Sequence, residues 1–201
     1  MLGKFWRVFR EQYPSRGKAA AVIAASLVVF VLVSAVLVIG GAAGLAWTNT
    51  EKFCTGCHEM RDNVFAEYTG TIHDTNRTGV RAICSDCHVP REPVALIEAK
   101  IHATHDLFSK AMGTIDTKEK FEAHRSEMAQ RVWRRMKAND SAPCRNCHNA
   151  AKMDEDKQSD RAKARHAKGK AEGKTCIDCH FAIAHKEPAG PGPADIQVSN
   201  Q

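Results

Sequence analysis

Cys54-Thr55-Gly56-Cys57-His58 decides the reading of this chain, because its pattern recurs three more times. Cys84-Ser85-Asp86-Cys87-His88, Cys144-Arg145-Asn146-Cys147-His148 and Cys176-Ile177-Asp178-Cys179-His180 complete the set. The chain has 8 cysteines, and each belongs to a C-x-x-C-H unit. That spacing is the attachment signal of c-type haem. Two thiols form thioethers to the haem vinyl groups, and the adjacent histidine becomes an axial iron ligand. Two four-cysteine zinc ribbons would give no reason for a histidine after every unit. Thioredoxin-type disulfides need strand–helix contexts that are absent, and a disulfide framework usually has irregular spacings. The sequence therefore predicts four covalently bound haem c groups, with Cys54, Cys57, Cys84, Cys87, Cys144, Cys147, Cys176 and Cys179 as thioether residues. His58, His88, His148 and His180 are the predicted first axial ligands.

Around these units the composition is uneven. Residues 19–46 hold no charged side chain, and as a helix they span roughly 42 Å, against a hydrocarbon core of about 30 Å. Half of them are Val, Leu, Ile or Phe. The preceding residues 1–18 carry Lys4, Arg7, Arg10, Arg16 and Lys18 against the single acid Glu11. The positive-inside rule keeps that end in the cytoplasm and sends the rest across. Trp47 suits the far interface, and Trp6 and Tyr13 the near one. Gly44-Leu45-Ala46 offers a signal-peptide cleavage site, but the apolar run is nearly twice a typical signal core. The expectation is an uncleaved anchor in the inner (cytoplasmic) membrane, with the lipid bilayer as a partner and a periplasmic haem domain over residues 47–187. The net charge of +6 is spread along the chain and is not interleaved with aromatics, so no nucleic-acid surface is indicated.

The motifs come in two pairs. His58 and His88 are 30 residues apart, and His148 and His180 are 32 apart. His73 lies 11 residues before Cys84, and His166 lies 10 before Cys176. This pattern indicates two duplicated dihaem modules, about 50–92 and 140–187, joined by helices within 93–138. The match suggests equivalent roles for His73 and His166. These two and His185 are the predicted sixth ligands; His102, His105 and His124 are weaker candidates. The repeat places a counterpart of His185 near Arg91-Glu92-Pro93, where no usual haem ligand stands. One haem therefore lacks an evident second histidine, and Met60, two residues past His58, is a candidate ligand there.

The fold class is mainly α: one transmembrane helix plus a small domain whose core is haem. Pro93 to Lys110 reads as a helix starting at its proline. Asp116 to Ala138 reads as another, with an apolar stripe at Phe121, Met128, Val132 and Met136, extended by Trp133. Met153 to Gly173 reads as a charged, solvated helix. The Ala-Gly-Pro-Gly-Pro composition predicts a disordered tail over 188–201.

Cys57-His58-Glu59-Met60-Arg61, Gly70-Thr71-Ile72-His73, Cys84 to Pro90 and Cys176 to His180 resemble the NapC/NirT family of membrane-anchored tetrahaem quinol dehydrogenases. The resemblance covers nearly the whole chain and is strongest to members that feed periplasmic nitrate reductase. It implies oxidation of a membrane quinol (menaquinol or ubiquinol) and electron delivery to a periplasmic reductase or its small cytochrome subunit. It implies an unusual first haem with Met60 as ligand, and a quinol site at Lys100 and Asp106. It also implies exchanged ligands: His73 on the fourth haem, His185 on the third, His166 on the second. Arg91 departs from members with histidine near that place. A carboxylate such as Asp106 suits proton uptake, and a lysine such as Lys100 suits stabilisation of a quinol oxygen. The alternative class is a passive electron-transfer cytochrome with no quinol site of its own. A terminal reductase is disfavoured, because all four motifs are alike.

Overall fold

The structure is a computed structural model that describes residues 16–197. No β-strand occurs among the described residues. The chain divides into two units at Thr48/Asn49.

The first unit is one helix, α1 (Arg16–Thr48). Its span Gly17–Thr48 is long and apolar enough to cross a membrane. It is apolar on all sides, and its large side chains from Val22 to Ile39 are exposed, which suits lipid and not water. The helix thus runs past both limits of the predicted 19–46 segment. The basic residues up to position 15, with Trp6 and Tyr13, lie outside the described residues.

The second unit begins with α2 (Glu51–Cys54), capped by the Thr50 hydroxyl, which accepts from Phe53 N. A π-helical turn over Met60–Phe65 runs into α3 (Ala66–Tyr68). Such wide turns often mark functional segments. The second motif forms α4 (Cys84–His88). Helix α5 (Pro93–Ala111) starts with proline at its first position, where the missing N–H costs nothing. Helix α6 (Lys118–Ala138) is capped by Thr117 and ends in Arg135 and Lys137, whose charges suit its C-terminal dipole. Asp140 and Ser141 then take left-handed conformations (φ 52° and 53°) and turn the chain into α7 (Ala142–Arg145), which carries Cys144. The predicted helix over 153–173 is shorter: α8 (Asp160–Ala171), capped by Ser159.

The core built from side chains is small. Trp133, Met136 and Ile177 form its centre, packed by Val132, Phe181 and Ile196. Phe121 and Tyr68 are the other buried large apolar residues. Helix α6 is the spine, with Phe121, Arg125, Trp133 and Met136 on its inner face.

The expected disorder from residue 188 is corrected for 188–197. Pro193 is fully buried, in a 3-10 turn over Pro193–Asp195. Lys137 Nζ donates to the carbonyls of Pro193 (2.8 Å) and Ile196 (2.7 Å) and pairs with Asp178 at 2.8 Å. Composition suggested a chain with nothing to bury. One buried ammonium and an apolar contact at Ile196 hold it instead.

Candidate functional site

The four motifs are neighbours in the order of the sequence. Helix α2 packs on α4, and α4 packs on α7. The fully buried Ser141 hydroxyl accepts from Ile177 N at 3.1 Å and so joins the third motif to the fourth. The Cys54 thiol hydrogen-bonds that of Cys84, and Cys144 lies near Cys176. None of the eight is in a disulfide. The second and fourth motifs share one local design. Ile83 N donates to Asp86 Oδ2 (2.9 Å), and Thr175 N donates to Asp178 Oδ2 (2.8 Å). Ile83 and Thr175 even have the same backbone angles, φ −88° and ψ 169°.

Three histidines from elsewhere face three motif histidines. Ring centres are 6.2 Å apart for His73 and His148, 6.1 Å for His88 and His185, and 6.0 Å for His166 and His180. An iron between two imidazoles needs about 2 Å for each metal–nitrogen bond and about 1 Å more to each ring centre, about 6 Å in all. The spacing therefore fits bis-histidine iron at three places. Hydrogen bonds set the rings for this. His185 Nδ1 donates to Val64 O at 3.1 Å, and His166 Nδ1 donates to Gln158 Oε1 at 2.8 Å, which presents Nε2 to the metal. Burial pushes His88 down to about 4, helped by His185 and Arg135, and burial also lowers His185. Both rings are held neutral, the form that binds metal.

The pairing corrects the expected ligand exchange. His73 faces the third motif and not the fourth. His185 faces the second and not the third. His166 faces its own fourth motif and not the second. Nor are His73 and His166 equivalent. His166 rides on α8, which Gly173 (φ +64°) turns back toward Cys176. His73 lies in an irregular loop, its carbonyl accepting from Tyr68 Oη at 2.8 Å, and it reaches across to the other pair of motifs. Spacing alone could not separate these two paths.

The first motif differs from the rest. Among the described residues no histidine ring faces His58. Its Nε2 lies 3.3 Å from Glu59 Oε1. Met60 opens the π-helical turn directly after it. Glu59 is a residue that sequence reasoning passed over. It is 4% exposed, and both its oxygens accept from Lys110 Nζ at 2.8 Å. Burial would raise its carboxyl, but Lys110 and backbone donors outweigh burial and hold it below the ordinary carboxylate range. This ion pair fastens α5 to the first motif. Lys100 and Asp106 both lie on α5. Lys100 is half-buried and acts electrostatically on Cys54, and burial lowers its ammonium. Asp106 is exposed. The two are about 9 Å apart along the axis and roughly 120° apart around it. His102, His105 and His124 face no motif histidine; His124 Nδ1 donates to Lys120 O at 2.9 Å.

Known proteins resemble this chain closely. It is 49% identical over 165 residues to the denitrification system component NirT of Stutzerimonas stutzeri, covering 77% of this chain and 82% of the relative. It is 46% identical over 188 residues to the cytochrome c-type protein NapC of Escherichia coli K12, covering 93% and 89%. It is 48% identical over 151 residues to a putative tetraheme cytochrome-c type protein of Allochromatium vinosum, covering 75% and 82%. No solved structure matches significantly. The sequence profile of the NapC/NirT cytochrome c family, N-terminal region, matches residues 16–190. That match takes in α1, all four motifs and all three facing histidines, and the chain accordingly belongs to the NapC/NirT cytochrome c family, membrane-anchored electron-transfer proteins with covalently bound haem.

Proposed function

We propose that the chain is a tetrahaem quinol dehydrogenase that oxidises membrane quinol and passes electrons to a periplasmic reductase, with nitrate reductase or its small cytochrome subunit as the acceptor. The observation that carries this reading is the set of three histidine pairs at iron-spanning distance, with a first motif that has no such pair. Lys18 stands at the N-terminal end of the apolar span and no basic residue lies in its last turn, which supports a cytoplasmic N-terminus and a periplasmic haem unit. When bound, each of the four haem irons takes up and releases one electron at a time.

Quinol oxidation releases two electrons and two protons, so the protein must supply a proton acceptor beside its first electron acceptor. Lys100, half-buried next to Cys54, donates a hydrogen bond to a quinol oxygen and stabilises the negative charge that develops as its proton leaves. Asp106, exposed on the same helix, accepts a proton and passes it to water. Met60 or His58 would hold the first haem iron. His73, His166 and His185 would hold iron together with the rings they face, His148, His180 and His88.

The test is anaerobic addition of a quinol analogue to the purified protein, read by the reduced c-type α band. Reduction is expected, and Asp106→Asn should slow it about 10²-fold or more with unchanged haem content. No reduction by quinol, with full reduction by dithionite, would reject the quinol site and leave a passive relay.

A further inference from the structure

Helix α5 carries an apolar face that nothing in the second unit covers. Val94 is 82% exposed, Ile101 65%, Phe108 64% and Met112 66%, and Ile97 is 47% exposed. Their spacing of three, four, seven and four residues keeps them on one stripe about 27 Å long. Glu98, Thr104 and His105 lie at its edges. The half-buried residues Ala95, Leu96 and Ala99, and Lys110 with its bond to Glu59, mark the opposite side. The stripe is thus turned roughly 180° from the first motif. Cys54 and Cys57, which would hold the first haem, lie toward Lys100 and Lys110.

We infer that this stripe of α5 lies in the lipid headgroup and acyl boundary, as a membrane contact in addition to α1. A contiguous exposed apolar face this long marks an interaction surface. The chain itself says which one. α1 ends at Thr48 and α2 starts at Glu51, so two residues tether the haem unit to a helix built to cross a bilayer. The stripe itself carries only Val94, Ile97, Ile101, Phe108 and Met112, with its one charge, Glu98, at the edge, which suits the lipid boundary. It would sink about 5–10 Å into the boundary. The proposal rests on the membrane-anchored reading and gives the quinol site its address: Lys100 stands on the flank of this helix, roughly 90° around from the face that touches lipid.

The full-length holoprotein is placed in nanodiscs of phosphatidylethanolamine and phosphatidylglycerol, with a phospholipid bearing a diazirine near the glycerol end of its acyl chain. After photolysis, adducts are mapped by mass spectrometry. Adducts are expected on peptides from 94–112 as well as from 17–48, and not from α8. Ile101→Asp with Phe108→Asp should abolish the α5 adducts while those on α1 and the dithionite-reduced spectrum persist. Adducts confined to 17–48, or α5 adducts that survive the double substitution, would overturn the inference. Shielding of the stripe by protein–protein cross-links would overturn it in favour of a protein partner. Labelling needs no quinol, so failure of quinol oxidation and failure of lipid contact are read separately.

Discussion

Arg125→Met should cost about 3–5 kcal/mol of stability, because it strands a buried carboxylate. Arg125 is 8% exposed. Its guanidinium donates to Glu67 at 2.9 and 2.7 Å and to Glu122 at 2.7 and 2.8 Å. The methionine keeps an apolar stem against Phe121, over whose ring Arg125 lies, so the loss reports mainly on charge. Glu122 remains half exposed to water, but the Glu67 side chain is only 11% exposed and cannot rehydrate without opening the fold. For a unit of this size the cost appears as a fall in Tm of roughly 10 °C. The assay is thermal unfolding of the holoprotein by far-UV circular dichroism, with Glu67→Gln and the double variant as partners in a cycle. The double variant should recover most of the loss. The sign of the pH effect follows from Glu67. Burial would raise its carboxyl, but Arg125 and the Lys186 amide outweigh burial and hold it below its ordinary 4.5. The folded state therefore binds that proton less readily than the unfolded chain. The stability it contributes is present above pH 4.5 and is lost as pH falls through the depressed folded value. The gap between wild type and Glu67→Gln should close over that acid range. A Tm within about 3 °C of wild type for Arg125→Met at pH 7 would refute the reasoning.

Two further outcomes follow from the site. Lys137→Met removes the donor shared by Asp178, Pro193 and Ile196, so residues 188–197 should become sensitive to limited proteolysis while the covalently bound haem stays attached. Unchanged protection of that segment would show that Ile196 packing alone suffices. His166→Ala should convert one low-spin haem to high spin, and His180→Ala should perturb the same haem; changes at two different haems, read by magnetic circular dichroism, would contradict their pairing at 6.0 Å.

Much of this was legible in the sequence, because the chemistry imposes local spacing. C-x-x-C-H is a contiguous signal, and a charge-free run such as 19–46 has no stable place in water. The helices at 93 and 118 were marked by Pro93 and Thr117. What remained hidden was non-local. Which histidine reaches which motif depends on how loops fold back: His73 and His166, nearly equivalent in spacing, both reach the second pair of motifs, His73 from outside that pair and His166 from within it. The tail after Glu187 looked structureless because its anchor, Lys137, lies about 60 residues earlier. Glu59 escaped notice because a glutamate beside a motif looks like a surface residue until Lys110 arrives from α5.

The corrected pairing changes what the duplication means. Had each module supplied its own ligands, the two pairs of motifs could form side by side and be joined afterwards. Instead His73, which precedes the second motif, faces His148 of the third, and His185, which follows the fourth, faces His88 of the second. Each module places a histidine opposite a motif of the other. His185 is fixed in place: its ring donates to Val64 O and the next amide, Lys186 N, donates to Glu67 at 3.0 Å, the carboxylate that Arg125 of α6 also holds. One residue pair thus ties the first module, the linking helix and the end of the fourth motif together. With so small a core of apolar side chains, iron bound between these facing rings would tie the folding of the two modules together. The same interlock keeps the second and third motifs, packed through α4 and α7, at fixed separation. That is the junction every electron must cross if it enters at the first motif and leaves at the fourth.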